Sequence, residues 1–238
     1  ISKPVTAWGV MKLVEQGQIQ LDAPVLSYMK NWEFPESKFS EEKITVRELL
    51  SHSAGLLLGN NFNLYAPTQV IPSLRDALSM EAVLLQEPGT SFSYSNTGFN
   101  LLELLIEEVT GRDFAEYMEQ EILIPLGMSN SSFIWSEEFN PGVPNGYDLT
   151  GKPVPVYVYP EKGSGGLFAT AEDIALFLVA GMPGFFQDRP VLSTQSINAL
   201  YTPTSKGLGI YSVVFDAYGL GYYIENLGRR QAVSHGGQ

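Results

Sequence analysis

Apolar residues in the first segment wrap around the helix axis instead of forming a stripe. Over residues 4–16, Val5, Trp8, Val10, Met11, Leu13 and Val14 cover more than one helical face, which predicts a buried helix. Pro4 suits a first turn, where its missing N–H has no partner to lose, and Gly17 is placed to close the helix. The run Leu21-Asp22-Ala23-Pro24 predicts a turn into a short helix, and residues 44–50 begin another with Thr45 as N-cap. The spacing of Leu101, Leu102, Leu104, Leu105 and Val109 predicts a helix over 96–110 that ends at Gly111. Residues 114–124 read as a further helix, closed by Pro125 and Gly127. Nothing in this stretch carries a comparable strand signal.

The pattern changes near residue 140. Pro and Gly cluster over 141–166, and Val154, Val156 and Val158 alternate as in an exposed-edge strand. Thr170-Ala171-Glu172-Asp173 has the form of a capped helix start leading into 174–180. Residues 207–216, 218–226 and 231–234 read as strands, the last two joined by a turn at Asn226-Leu227-Gly228. The expected class is therefore α+β. One domain is expected over 1–238, with a helical lobe over about 18–140 and a mainly antiparallel sheet lobe made of 1–17 and about 141–238. A crevice between the lobes is the natural place for a site.

Composition narrows the function. Acidic residues outnumber basic ones by 26 to 14, a net charge of −12 that repels phosphate backbones and argues against nucleic acid as a partner. With no cysteine and two histidines, thiolate metal sites are excluded and a nitrogen-rich one is not expected. The sequence has no Gly-x-Ser-x-Gly elbow, His-Glu-x-x-His helix or phosphate loop.

Three short segments carry candidate chemistry. A serine hydroxyl is a poor nucleophile until a base removes its proton, and a lysine serves only if burial or a neighbouring positive charge lowers its pKa. Residues three apart share a helix face, so a hydroxyl partner for Lys3 would stand immediately before Ile1. Ser2 cannot take that place, because adjacent helical side chains diverge by about a third of a turn. Tyr94-Ser95-Asn96 sits in a loop before the predicted helix, where a tyrosine can relay protons and an Asn amide can hold a carbonyl. In His235-Gly236-Gly237 the glycines let a ligand lie against the strand backbone. Taken singly, each segment has an ordinary alternative: a surface Ser-Lys pair, an aromatic before a helix cap, a solvated histidine beside a turn.

Order and context make the pattern specific. The segments resemble the three active-site motifs of the serine β-lactamase and penicillin-binding-protein superfamily, in the branch of class C β-lactamases, D-aminopeptidases and related esterases. Ile1-Ser2-Lys3 matches the last three positions of Ser-x-x-Lys, and Tyr94-Ser95-Asn96 keeps its setting from Glu87-Pro88-Gly89-Thr90 to Gly98. His235-Gly236-Gly237 stands at the Lys-Thr-Gly position, where some members carry His-x-Gly. Leu49-Leu50-Ser51-His52-Ser53-Ala54-Gly55-Leu56, with Ala54 replacing the usual serine, extends the likeness. So do Gly165-Gly166-Leu167-Phe168-Ala169-Thr170-Ala171-Glu172-Asp173 and Tyr218-Gly219-Leu220-Gly221-Tyr222, and together the segments span the whole chain.

The resemblance implies a β-lactamase/transpeptidase-like fold and a serine hydrolase that works through an acyl-enzyme on D-residue peptides, esters, amides or β-lactams. It implies Lys3, Tyr94 and His235 as catalytic residues, with the nucleophilic serine just before Ile1. Asn96, Gly236, Gly237 and Gln238 would contact substrate, the Gln238 N–H as an oxyanion donor. No cofactor and no metal are implied, the partner is a small-molecule or peptide substrate, and the expected location is extracytoplasmic. His235 in place of lysine lowers the standing positive charge facing a substrate carboxylate, which favours a peptidase or esterase over a dedicated β-lactamase. His52 is expected to be structural, bonding backbone at a helix-to-loop turn. The chain reads as incomplete at both termini, so its open sheet edges are expected to associate with the missing terminal segments or with another copy. A non-catalytic ligand-binding or regulatory relative is the alternative, and the residue before Ile1 separates the two.

Overall fold

The computed structural model describes residues 1–59, 64–139, 142–182 and 191–237. Helix α1 (Ser2–Glu15) runs through the centre, buried on every side over its first three turns as its wrapped apolar pattern requires. Trp8 lies 5.1 Å from Phe177 between ring centres, and its indole N–H donates to the Tyr222 hydroxyl at 3.0 Å. The Tyr117 hydroxyl donates to the Gly9 carbonyl at 3.0 Å.

Helix α2 (Val46–Leu50) starts with a reciprocal capping box: the Glu48 N–H donates to Thr45 Oγ1, and the Thr45 N–H donates to the Glu48 carboxylate. Helix α3 (Leu74–Glu81), capped by Ser73, buries only Ala77 and Leu78. Helix α4 (Asn96–Thr110) is capped by Ser95 and packs its leucines into the core, ending at Gly111. Helix α5 (Phe114–Met118) widens into a π-helical turn at Glu119–Leu123 and finishes as α6 (Ile124–Leu126) before Gly127. All named strands among the described residues follow this helical stretch.

Strands β1 (Gly146–Tyr147) and β2 (Pro153–Val154) form a small antiparallel pair. Helices α7 (Lys162–Gly165), α8 (Ala171–Ala180, capped by Thr170) and α9 (Thr194–Tyr201, capped by Ser193) follow. Strands β3 (Ala217–Tyr218), β4 (Tyr223–Leu227) and β5 (Arg230–Ser234) make an antiparallel sheet in the order β3-β4-β5. The class is α+β.

Three expected strands are corrected. The alternating valines give only Val154 in β2 and an isolated bridge between Val158 and Tyr65, because Pro153 and Pro155 leave no continuous row of donors. Residues 207–216 contain a 3₁₀ helix (Gly209–Val213), since Gly207 and Gly209 take positive φ and break the extended path. Residues 218–226 are two strands: Gly221, at φ +89°, turns the chain so that Tyr218 pairs with Tyr223. That turn docks on helix ends, its Leu220 N–H donating to Leu200 O and its Gly221 N–H to Leu50 O, both at 2.9 Å. No helix among the described residues is long and apolar enough to cross a membrane.

Candidate active site

Lys3 sits in the first turn of α1, where the buried pattern of that helix carries its side chain inward; it is 4% exposed. Its Nζ donates to Asn96 Oδ1 at 2.6 Å and to the Ser164 carbonyl at 2.9 Å. The amine also lies 5.0 Å from the centre of the Tyr94 ring and 5.8 Å from that of Phe99. Burial lowers the Lys3 pKa from 10.5 to about 7, because the ammonium loses its hydration while the amine loses little.

Asn96 opens α4 and reaches Lys3 because the cap at Ser95 fixes the first turn. Ser95 Oγ accepts the Gly98 N–H at 3.0 Å and donates to Leu57 O at 2.6 Å. Ser2 Oγ likewise accepts the Leu167 N–H at 3.1 Å. The Ser2 and Ser95 hydroxyls are therefore both bonded to backbone.

Tyr94 is held by rings: His52 at 4.2 Å, Tyr211 at 5.9 Å and His235 at 6.3 Å between centres. Burial, reinforced by the Tyr211 phenol, raises its pKa, so the phenol stays protonated at neutral pH. His52 lies beneath it in the helix-to-loop turn, at φ +54°. Its Nδ1 accepts the Ser95 N–H at 3.2 Å and its carbonyl accepts the Ser93 N–H at 2.7 Å, so it braces the backbone on both sides of Tyr94. Burial, then the charges of Lys3 and His235, drive its pKa well below 6.5.

His235 follows β5 and faces Tyr94, Tyr218 and Tyr223. Its Nδ1–H donates to Gly236 O at 2.7 Å, and its Nε2 is buried without a partner. Burial lowers its pKa to about 3 against the opposing pull of that carbonyl, so the ring is neutral at pH 7. Gly236 and Gly237 are exposed and follow directly, and Gln238 lies outside the described residues.

Lys3, Tyr94, Asn96 and His235 thus converge from α1, the loop before α4, α4 itself and the end of β5. Sequence reasoning missed the Ser164 carbonyl, because a backbone acceptor leaves no side-chain signature. It also missed the ring cage of Phe99, Tyr211, Tyr218 and Tyr223. The Gly165-Gly166 turn was a usable signal for the former, since tight backbone turns are where carbonyls can be aimed. Among the described residues, no group of three or more His, Cys, Asp or Glu side chains could hold a metal. Cavities flank the cluster. One of about 450 Å³ lies beyond the Gly165-Gly166 turn, walled by Phe133, Trp135, Tyr157, Tyr159 and Phe168. Another of about 910 Å³ opens beside His235, between β5 and helices α8 and α9.

The model of the Beta-lactamase family matches residues 1–238. Esterase EstB of Burkholderia gladioli is 27% identical over 230 residues, covering 79% of this chain and 57% of the esterase. The structure of the octameric penicillin-binding protein homologue from Pyrococcus abyssi superposes with a TM-score of 0.75 at 31% identity, over 98% of this chain and 54% of that one. The D-amino acid amidase from Ochrobactrum anthropi SV3 shares the fold, with a TM-score of 0.77 at 21% identity over 100% of this chain and 67% of the amidase. The chain spans about half the length of the first curated relatives it matches.

Proposed function

The chain belongs to the Beta-lactamase family, and from that premise, with an esterase among its relatives, we propose an acyl-enzyme hydrolase of esters, amides or D-residue peptides. The observation that carries this reading is the state of Lys3. A lysine buried between two acceptors, with its pKa brought to about 7, is an amine able to take a proton at neutral pH.

The nucleophile is assigned to a serine at the position immediately before Ile1. In the first half-reaction its oxygen bonds to the substrate carbonyl carbon while its proton passes to the Lys3 amine. The tetrahedral intermediate collapses, the bond to the leaving alcohol or amine breaks, and the leaving group takes that proton by way of the Tyr94 phenol. Water repeats the sequence on the acyl-enzyme and releases the acid. With its Oδ1 committed to Lys3, Asn96 keeps its amide N–H groups for a substrate carbonyl. A neutral His235 favours substrates that bring no carboxylate to that wall.

The test extends the chain through its natural preceding residue and follows a chromogenic ester with intact-mass detection of the acyl-enzyme. One acyl group on the preceding serine is expected, with acylation lowered roughly 10²–10⁴-fold in Lys3→Ala, the range for removing a positioned base. An adduct on Ser2 or Ser95, or unchanged acylation in Lys3→Ala, would overturn the assignment.

A further inference from the structure

We propose that Glu103 is a positioning residue for Lys3, its carboxyl holding the backbone turn whose carbonyl fixes the amine. The proposal rests on the reading of Lys3 as the base. Glu103 lies on α4 seven residues after Asn96, a spacing that returns to the same helix face, and it is 1% exposed. Its Oε2 accepts the Gly163 N–H at 2.6 Å. The Gly163 carbonyl in turn accepts from Thr6 Oγ1 on α1 at 2.8 Å. The next carbonyl along, that of Ser164, receives Lys3 Nζ. Helix α7 is therefore clamped from two sides, and the carbonyl that follows the clamp points at the amine.

The close approach of α7 to α4 is built into the sequence. A Cβ added to Gly163 would lie 2.7 Å from the Phe99 carbonyl and 3.0 Å from Glu103 Cβ, so only glycine lets the carboxyl reach that N–H. Helix α4 thus acts on Lys3 twice: directly through Asn96, and through the turn by Glu103.

A carboxyl at a core-facing helical position is costly to bury, and an aliphatic side chain would fill the same space without that cost. Its second oxygen, Oε1, has no partner. What the carboxyl supplies is the acceptor at Gly163. Burial raises its pKa to about 8 against the opposing effects of Lys162 and the Gly163 N–H, with Glu107 adding to the rise. Glu103 is accordingly mostly neutral at pH 7, and glutamine is its nearest mimic: a carbonyl oxygen for Gly163 and an uncharged donor where the acid carries its proton.

The experiment reads the titration of Lys3 itself, by NMR of the chain with ¹³C-labelled lysine, assigned with Lys3→Met. Glu103→Leu removes the acceptor, frees the turn and admits water to the amine. Because burial is what depresses Lys3, the ammonium-to-amine ratio at fixed pH should then rise roughly tenfold, one pKa unit. Glu103→Gln should leave the titration within about threefold of the parent chain. A Lys3 titration unmoved in folded Glu103→Leu, or moved equally in Glu103→Gln, overturns the proposal. If Glu103→Leu does not fold, Gly163→Ala decides: it forces the turn off α4 with the acid intact, and the same rise is expected, an unmoved titration again being fatal. A parent chain whose Lys3 titrates at its ordinary 10.5 would sink the reading of Lys3 as base instead, so the two failures are distinct.

Discussion

Holding Lys3 neutral should cost the folded state a measurable, pH-dependent amount of stability, and Lys3→Met exposes it. In the unfolded chain the amine titrates near 10.5 and in the folded chain near 7. Below the folded value both states are protonated and the group contributes no slope. Between the two values the unfolded state binds a proton that the folded state does not, so stability rises with pH; above 10.5 it is flat again. At about pH 7 the penalty is roughly 4 kcal/mol and at about pH 9.5 roughly 1 kcal/mol, a change of about 3 kcal/mol. Methionine keeps the length and removes the titration. It also orphans the acceptors on Asn96 and Ser164, but that loss does not vary with pH and cancels between the two conditions. Urea unfolding of parent and Lys3→Met at both pH values gives the double difference, with the parent gaining about 3 kcal/mol more than the variant on going to high pH. A double difference below about 0.5 kcal/mol would mean that the amine is not desolvated in the folded protein, and the argument for Lys3 as a base would go with it.

Two further predictions concern single hydroxyls. Tyr94→Phe removes the phenol and leaves its ring among His52, Tyr211 and His235, so single-turnover acylation in the extended chain should fall roughly 10²–10⁴-fold while the urea midpoint stays put; parent-like acylation would take the phenol out of proton transfer. Tyr222→Phe leaves the buried Trp8 N–H without its acceptor, and should lower unfolding stability by about 1–3 kcal/mol by urea titration, a neutral result refuting the bond's importance.

How far the sequence could be read depended on whether a signal was local. Helix α1 was visible because Val5, Trp8, Val10 and Leu13 wrap around the axis, and α4 because its leucines keep one face. Helices α3 and α9 escaped notice because each buries few apolar side chains, although Ser73 and Ser193 mark their starts as caps. The strand over 207–216 failed for the opposite reason: apolar residues were present, but Ile210 and Val213 turn out to be 83% and 85% exposed on a 3₁₀ turn. At the site, Lys3, Tyr94, Asn96 and His235 could be picked out because their motifs are contiguous, whereas their mutual distances are a tertiary fact. Gly221 shows the intermediate case. A glycine in a strand pattern signals a bend, and here the bend is a full reversal pairing Tyr218 with Tyr223.

Of the two ways to keep a lysine neutral, a nearby cation or burial, this site uses the second. Loss of hydration is the cause behind the depressed Lys3 pKa, and it outweighs the attraction of the Tyr94 and Phe99 ring faces for the ammonium. Both histidines near the amine are themselves held neutral, His52 by full burial and His235 mainly by burial. An amine tuned by apolar walls is insensitive to salt, unlike one tuned by a neighbouring charge that ions can screen. The same economy constrains what can bind. With its Nδ1–H given to Gly236 O and its Nε2 buried without a partner, His235 brings neither a free N–H donor nor a positive charge to a substrate carboxylate. Under the function proposed above, the absence of a standing positive charge on that wall favours ester and amide substrates whose far end is neutral. A lysine introduced there, His235→Lys, should shift preference toward carboxylate-bearing substrates, and its positive charge should lower the Lys3 pKa further, easing the hold on the unprotonated amine.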